Sequence, residues 1–229
     1  MMISMFAVTA VASEFARVDR DLAEYDRVVA TMKSDFSLDP AMPLNKEWVQ
    51  KKLQFMFDID QYMRACWKMP VLNKYSAEET AYFKKKFLSR SEYIDDDNAD
   101  DLKELMKIYP WFTISQFGKA GDNQAWIIVQ HADRDPEFQQ RVLAKLESLY
   151  PIGETEPKNY AYLYDRIQSS WNAPEKRQLQ RYGTQGMCVA KGTWEPLPME
   201  EPEKVDQRRA SVGLGTLAEY KGMFKEICR

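Results

Sequence analysis

Apolar residues recur three and four positions apart at Val8, Val11, Phe15, Val18, Leu22, Tyr25, Val29 and Met32, the spacing that keeps one stripe of an α-helix apolar. Between them Glu14, Arg17, Arg20, Asp21, Glu24 and Arg27 suit the solvent face and helical charge pairing. The pattern predicts one long amphipathic helix packed on the body of its own chain. A dimer seam is the alternative use of the same stripe. Asp39-Pro40 and Pro43 end it. A second helix, from about Lys46 to Lys68, carries Trp48, Leu53, Phe55, Met56, Ile59 and Met63 on more than one face and belongs to the core. Asp60 and Arg64 stand one turn apart within it, either as a solvated ion pair or as a polar face lining a cleft.

Pro70 stops that helix, and Ser76-Ala-Glu-Glu79 is a capping box that starts the next, expected to reach Tyr93. The acidic run Asp95, Asp96, Asp97, Asp100 and Asp101 lacks the glycine and terminal glutamate of a calcium loop. It is read as the start of a separate helix from Ala99 to Ile108. Pro110, Gly118 and Gly121 predict an irregular connection over 109–121, anchored by Trp111, Phe112 and Phe117, before a helix beginning near Asp122. Asp135-Pro136 reads as an N-cap and first helical position, and a further helix runs from about Pro157 to Ser170. Alternation over Gly186 to Ala190 and Thr193 to Leu197, about Lys191-Gly192, predicts a hairpin. A helix containing Val205 stops near Gly213, and Thr216-Leu-Ala-Glu219 caps the last one. The expected fold is α+β, predominantly α-helical with a short C-terminal β-hairpin. It divides into an N-terminal helical extension, 1–45, and a helical domain, 46–229, with its hairpin near 184–197.

Composition narrows the function classes. A formal charge of -3 over 229 residues leaves no basic footprint for nucleic acid. Cys66, Cys188 and Cys228 form no C-x-x-C pair, which argues against zinc and allows at most one disulfide. Residues 1–13 are uncharged and end in Ala-Val-Ala-Ser, like the end of a secretory signal without its basic start. No transmembrane segment is expected. A cytoplasmic location is favoured, with export as the alternative if residues 1–13 are a signal remnant.

The chemistry concentrates at His131, the sole histidine, set between an apolar helical run and two carboxylates. Imidazole titrates near neutrality, and an adjacent carboxylate orients it and supports its charged form. Asp135 is assigned to capping, which leaves Asp133 as the expected partner of His131. Arg166, Arg208 and Arg209 would bind an anionic group, and Tyr182 and Gln185 would position the substrate. The chain has no G-x-S-x-G, HExxH or glycine-rich phosphate loop. No cofactor is expected, and a metal held by His131, Asp133 and Asp165 is the lesser alternative, having one imidazole and no thiolate. Hydrolysis or group transfer on a small polar substrate is one reading. A non-catalytic domain that binds a peptide or anion is another, and a buried network fixing helices to hairpin is a third.

Gln-His-Ala-Asp at 130–133, Asp-Arg at 165–166, Tyr-Gly-Thr-Gln at 182–185 and Val-Asp-Gln-Arg-Arg at 205–209, followed by Gly213-Leu214, resemble a bacterial family catalogued as domain of unknown function six-six-two-four. The likeness covers Trp48 to Tyr220. Asp60-Gln61 and Arg64 resemble its early segment, and Trp111 and Gly118 its middle. Phe112 stands where the family's proline is expected. Residues 1–45 lie outside the likeness. The resemblance implies a domain boundary and a residue set that adds Gln130, Asp165 and Thr184 to the residues above. It implies no particular reaction.

Overall fold

A computed structural model describes residues 14–34, 45–67 and 74–228. In chain order the helices are α1 (Ala16–Ser34), α2 (Lys46–Cys66), α3 (Ala77–Met106), α4 (Ile114–His131), α5 (Pro136–Leu149) and α6 (Pro157–Ser169). The hairpin strands β1 (Gly186–Ala190) and β2 (Thr193–Pro196) follow, then the short helices α7 (Val205–Ser211) and α8 (Leu217–Gly222). The protein is therefore α+β and mostly helical. Among the described residues no helix is long and apolar enough to cross a membrane.

The main core is built where α2 to α6 meet. Val49, Leu53 and Met56 of α2 pack with Leu102 and Leu105 of α3, with Ile128 and Val129 of α4, and with residues of α5 and α6. Each such side chain contributes about 1.5–3 kcal/mol when taken fully out of water. A second cluster joins Val18, Leu22 and Tyr25 of α1 to Met63, Cys66, Phe83 and Phe87. The apolar stripe of α1 is thus used within the chain, which is the packing the heptad pattern favoured over a dimer seam. Val8 and Val11, with the whole signal-like stretch 1–13, lie outside the described residues.

Two expected boundaries moved. The acidic run does not begin a separate helix, because α3 continues through it for 30 residues from the Ser76 capping box. No glycine or proline interrupts residues 77–106. Ile94, Ala99, Leu102 and Leu105 keep one face buried, and that face outweighs the poor helix propensity of five aspartates. α4 starts earlier than expected, at Ile114, and is kinked at Gly118, whose φ of 70° and ψ of 172° are non-helical. A side chain there would be strained, so the glycine marks a bend rather than a loop. Trp111, Phe112 and Phe117 are buried as anchors of this segment.

The hairpin pairs Gly186 with Pro196 and Cys188 with Trp194, with a bulge between Cys188 and Ala190. The C-terminal segment closes over it. Phe224 stacks on Trp194 with ring centroids 4.7 Å apart, Lys221 pairs with Glu195 at 2.6 Å, and Cys188 is disulfide-bonded to Cys228. That bridge is the single one the three cysteines allow, and Cys66 is free and buried.

Candidate functional site

Asp60 lies on the buried stripe of α2, among Met56, Ile59 and Met63, and is itself fully buried. An ionisable residue buried on a mostly apolar face, as Asp60 and Lys52 are, persists only if its charge is met. His131, the last residue of α4, meets that of Asp60: His131 Nδ1 is 2.7 Å from Asp60 Oδ1. The second oxygen, Oδ2, accepts from Gln61 Nε2 at 2.8 Å. One turn along α2, Arg64 Nη2 donates to Asp95 Oδ1 of α3 at 2.7 Å and reaches Asp60 Oδ1 at 3.3 Å. Arg64 Nε also lies 3.3 Å from His131 Nδ1. Nδ1 cannot both donate to Asp60 and accept from Arg64. The shorter contact is to a buried carboxylate and decides the tautomer: Nδ1 carries the proton, and Nε2 carries a lone pair. Among the described residues Nε2 has no hydrogen-bond partner, and the ring, with 17% of its side-chain surface exposed, lines a cleft.

The electrostatics follow from burial and neighbours. Burial presses the Asp60 carboxyl upward, but the hydrogen bond and charge of His131, with Arg64, outweigh it and hold Asp60 below its ordinary range. Burial lowers the pKa of His131, with Arg64 and Arg166 adding to the effect and Asp60 opposing it. Asp95 behaves in the opposite way to Asp60. Burial, with the like charges of Asp60 and Asp133, raises it to about 7 against the pull of Arg64. A neutral imidazole and a carboxylic acid poised near neutrality therefore face the same cleft.

Asp60, Asp95 and His131 each place one ligand atom within 4.8 Å of the others, close enough to share a metal ion. The Arg64 guanidinium, bonded to both carboxylates, supplies positive charge at that point, and a metal ion would have to displace it. The trio differs from the one expected, since Asp133 and Asp165 are engaged elsewhere.

Asp133 does not orient His131. Its two oxygens take both arms of Arg166, from Nε at 2.8 Å and Nη2 at 2.5 Å. The bend after Ala132 turns Asp133 towards α6, whereas the imidazole turns to α2. Arg166 Nη1 and Trp171 Nε1 both donate to Gln185 Oε1 at 3.2 Å, so Asp133, Arg166, Trp171 and Gln185 form one network. His131 and Asp133 nevertheless border the same cavity of about 230 Å³. It adjoins a second of about 380 Å³ through their common residues Asp133, Arg134 and Asn172. The two together are of a size that suits a small molecule.

Most of the remaining expected binding residues are engaged by the chain's own backbone. Asp165 is fully buried and accepts from the amides of Arg181, Tyr182 and Thr184 and from the Thr184 hydroxyl. Arg208 donates to the carbonyls of Arg181 and Glu200, and Arg209 to those of Tyr182 and Gly215. Tyr182 and Thr184 are buried in this turn. Gln130 is buried as well, and among the described residues its Oε1 has no hydrogen-bond partner. Asp165, Arg208 and Arg209 hold the 181–185 turn against α6 and α7. Asp165, Arg208 and Arg209, expected to bind ligand, thus spend their hydrogen bonds on the chain's own backbone and on Thr184.

Asp95 went unrecognised in the sequence, and Asp60 with Arg64 was one of two readings. The signal for Asp60 is a cation one turn later on a helix whose other faces are largely apolar. Asp95 gave none, because only the packing of α3 on α2 and α4 singles it out from its acidic neighbours.

No curated protein and no solved structure matches the chain. A family model does match, over residues 49–228, and it takes in both the Asp60–His131 pair and the 181–185 turn. The chain belongs to that family, the family of unknown function DUF6624.

Proposed function

We propose that this protein is an acid–base enzyme that hydrolyses a bond in, or transfers a group on, a small polar substrate held in the cleft beside His131. The observation that carries this reading is the Asp60–His131 hydrogen bond, which leaves Nε2 without a partner among the described residues on a side chain that lines the cleft. In this role Nε2 takes a proton from an attacking water or hydroxyl. Asp60 fixes the tautomer and stabilises the imidazolium that forms. Asp95, with its carboxyl raised to about 7, gives a proton to the leaving group. Proton exchange with solvent resets both residues. Arg166 and Asp133 hold each other and the neighbouring wall, so Asp133 is a positioning residue and not the partner of the base.

The test is turnover of a panel of chromogenic esters, amides and phosphoesters by the native protein and by His131→Gln. The expected result is at least one substrate whose turnover falls about 100-fold or more in the variant, the usual contribution of a general acid or base. Ligand binding without His131-dependent turnover of any panel member would overturn the proposal in favour of a non-catalytic peptide- or anion-binding domain.

A further inference from the structure

The two adjoining cavities carry opposite charge. Around His131, Asp60 and Asp95 share the single guanidinium of Arg64. Glu92 and Asp96 share that of Arg134, at 3.2 and 3.6 Å. Asp60, Glu92 and Asp96, with Asp95 part-protonated near neutrality, meet two cations, which leaves that lobe acidic. The larger lobe is different. Its Arg166 is neutralised by Asp133, while Lys176 lines the same cavity with no carboxylate partner among the described residues. Its wall also holds the indole of Trp171, with the Arg166 guanidinium 5.4 Å from the ring centroid. The Asp133–Arg166 pair stands between the two lobes.

Charge of this kind selects ligands by complementarity, because each uncompensated group gains when an opposite charge replaces water beside it. From this geometry we infer that the ligand is an amino-carboxylate of amino-acid or short-peptide type. Its ammonium group lies in the acidic lobe near Glu92 and Asp96, its apolar side chain lies along Trp171, and its carboxylate lies at Lys176. This deepens the functional reading above and rests on it for the placement of the reacting bond near His131. The recognition itself rests only on the charges of the two lobes.

The test is isothermal titration calorimetry of the full chain at neutral pH and low salt. The probes are the dipeptide alanyl-phenylalanine, its N-acetyl form and its C-terminal amide. The parent is expected to bind about tenfold or more tightly than either blocked form. Lys176→Gln is expected to abolish the penalty for the amide while keeping that for the acetyl group. A Glu92→Gln, Asp96→Asn double variant is expected to do the reverse. Equal affinity for the three probes, no binding of any of them, or unchanged discrimination in the folded variants would each overturn the inference. His131→Gln separates the two readings. If it binds the probes with the same discrimination while no panel substrate is turned over by the native protein, the ligand class stands and the acid–base function falls. If His131-dependent turnover is found and the probes are not distinguished, the reverse holds.

Discussion

Replacing Asp60 by Asn tests the heart of the site without requiring a substrate, because the chain has a single histidine. Its imidazole nitrogens can be followed without ambiguity by long-range 1H–15N correlation. In the native protein the 2.7 Å contact to Asp60 should keep the proton on Nδ1, with Nε2 unprotonated. The pKa should lie below the ordinary histidine value, since burial outweighs the carboxylate. Asparagine retains an acceptor for Nδ1–H but removes the charge that favours the imidazolium. Two unit charges about 4 Å apart at an effective dielectric of about 20 interact by about 4 kcal/mol, equivalent to about 3 pKa units. That is a ceiling, because water and the neighbouring guanidinium of Arg64 screen the pair. A further fall of about 1–2 units is expected in Asp60→Asn. A native spectrum with the proton on Nε2 would make Arg64 rather than Asp60 the partner of Nδ1 and overturn this assignment. A titration that moves upward in the variant would refute it equally.

Three further outcomes follow from particular contacts. Asp95 is raised to about 7 in the folded chain, so the stability it contributes is fully present below the unfolded carboxylate value of about 4 and is lost as pH rises through about 7. Urea unfolding should show native stability dropping by a few kcal/mol across that window and Asp95→Asn largely abolishing the drop; a flat native profile would refute the shift. Asp165→Ala orphans three backbone amides and a hydroxyl, and should destabilise the chain by about 3–5 kcal/mol in a denaturant titration. A stable variant with lost ligand binding would instead restore Asp165 to a binding role. Cys188→Ser removes a bridge between residues 40 apart in sequence. The chain-entropy account puts its contribution at about 4 kcal/mol, readable as a lowered unfolding midpoint that reducing agent lowers in the native protein but not in the variant.

Periodicity alone determined most of the helices, because an amphipathic stripe, a capping box such as Ser76–Glu79 or an N-cap such as Asp135 is a local device that works wherever the chain goes. The hairpin was equally local, with Gly192 at its turn. Local signals failed at the acidic run and at Gly118. Burial of Ile94 and Ala99 carried α3 through five aspartates, and a bend left α4 continuous where a loop was expected. The sequence also singled out His131 as the candidate for proton-transfer chemistry, since no other side chain in it titrates near neutrality without help. Its partner was decided by tertiary structure. Asp133 is two positions away in sequence, but side chains that close along a helix end point to different neighbours. Asp60 is 71 residues away and arrives because α2 and α4 share a core. The same packing brings Asp95 against Arg64, and so creates a raised carboxyl that no reading of residues 95–101 by themselves would distinguish from a solvated acidic face.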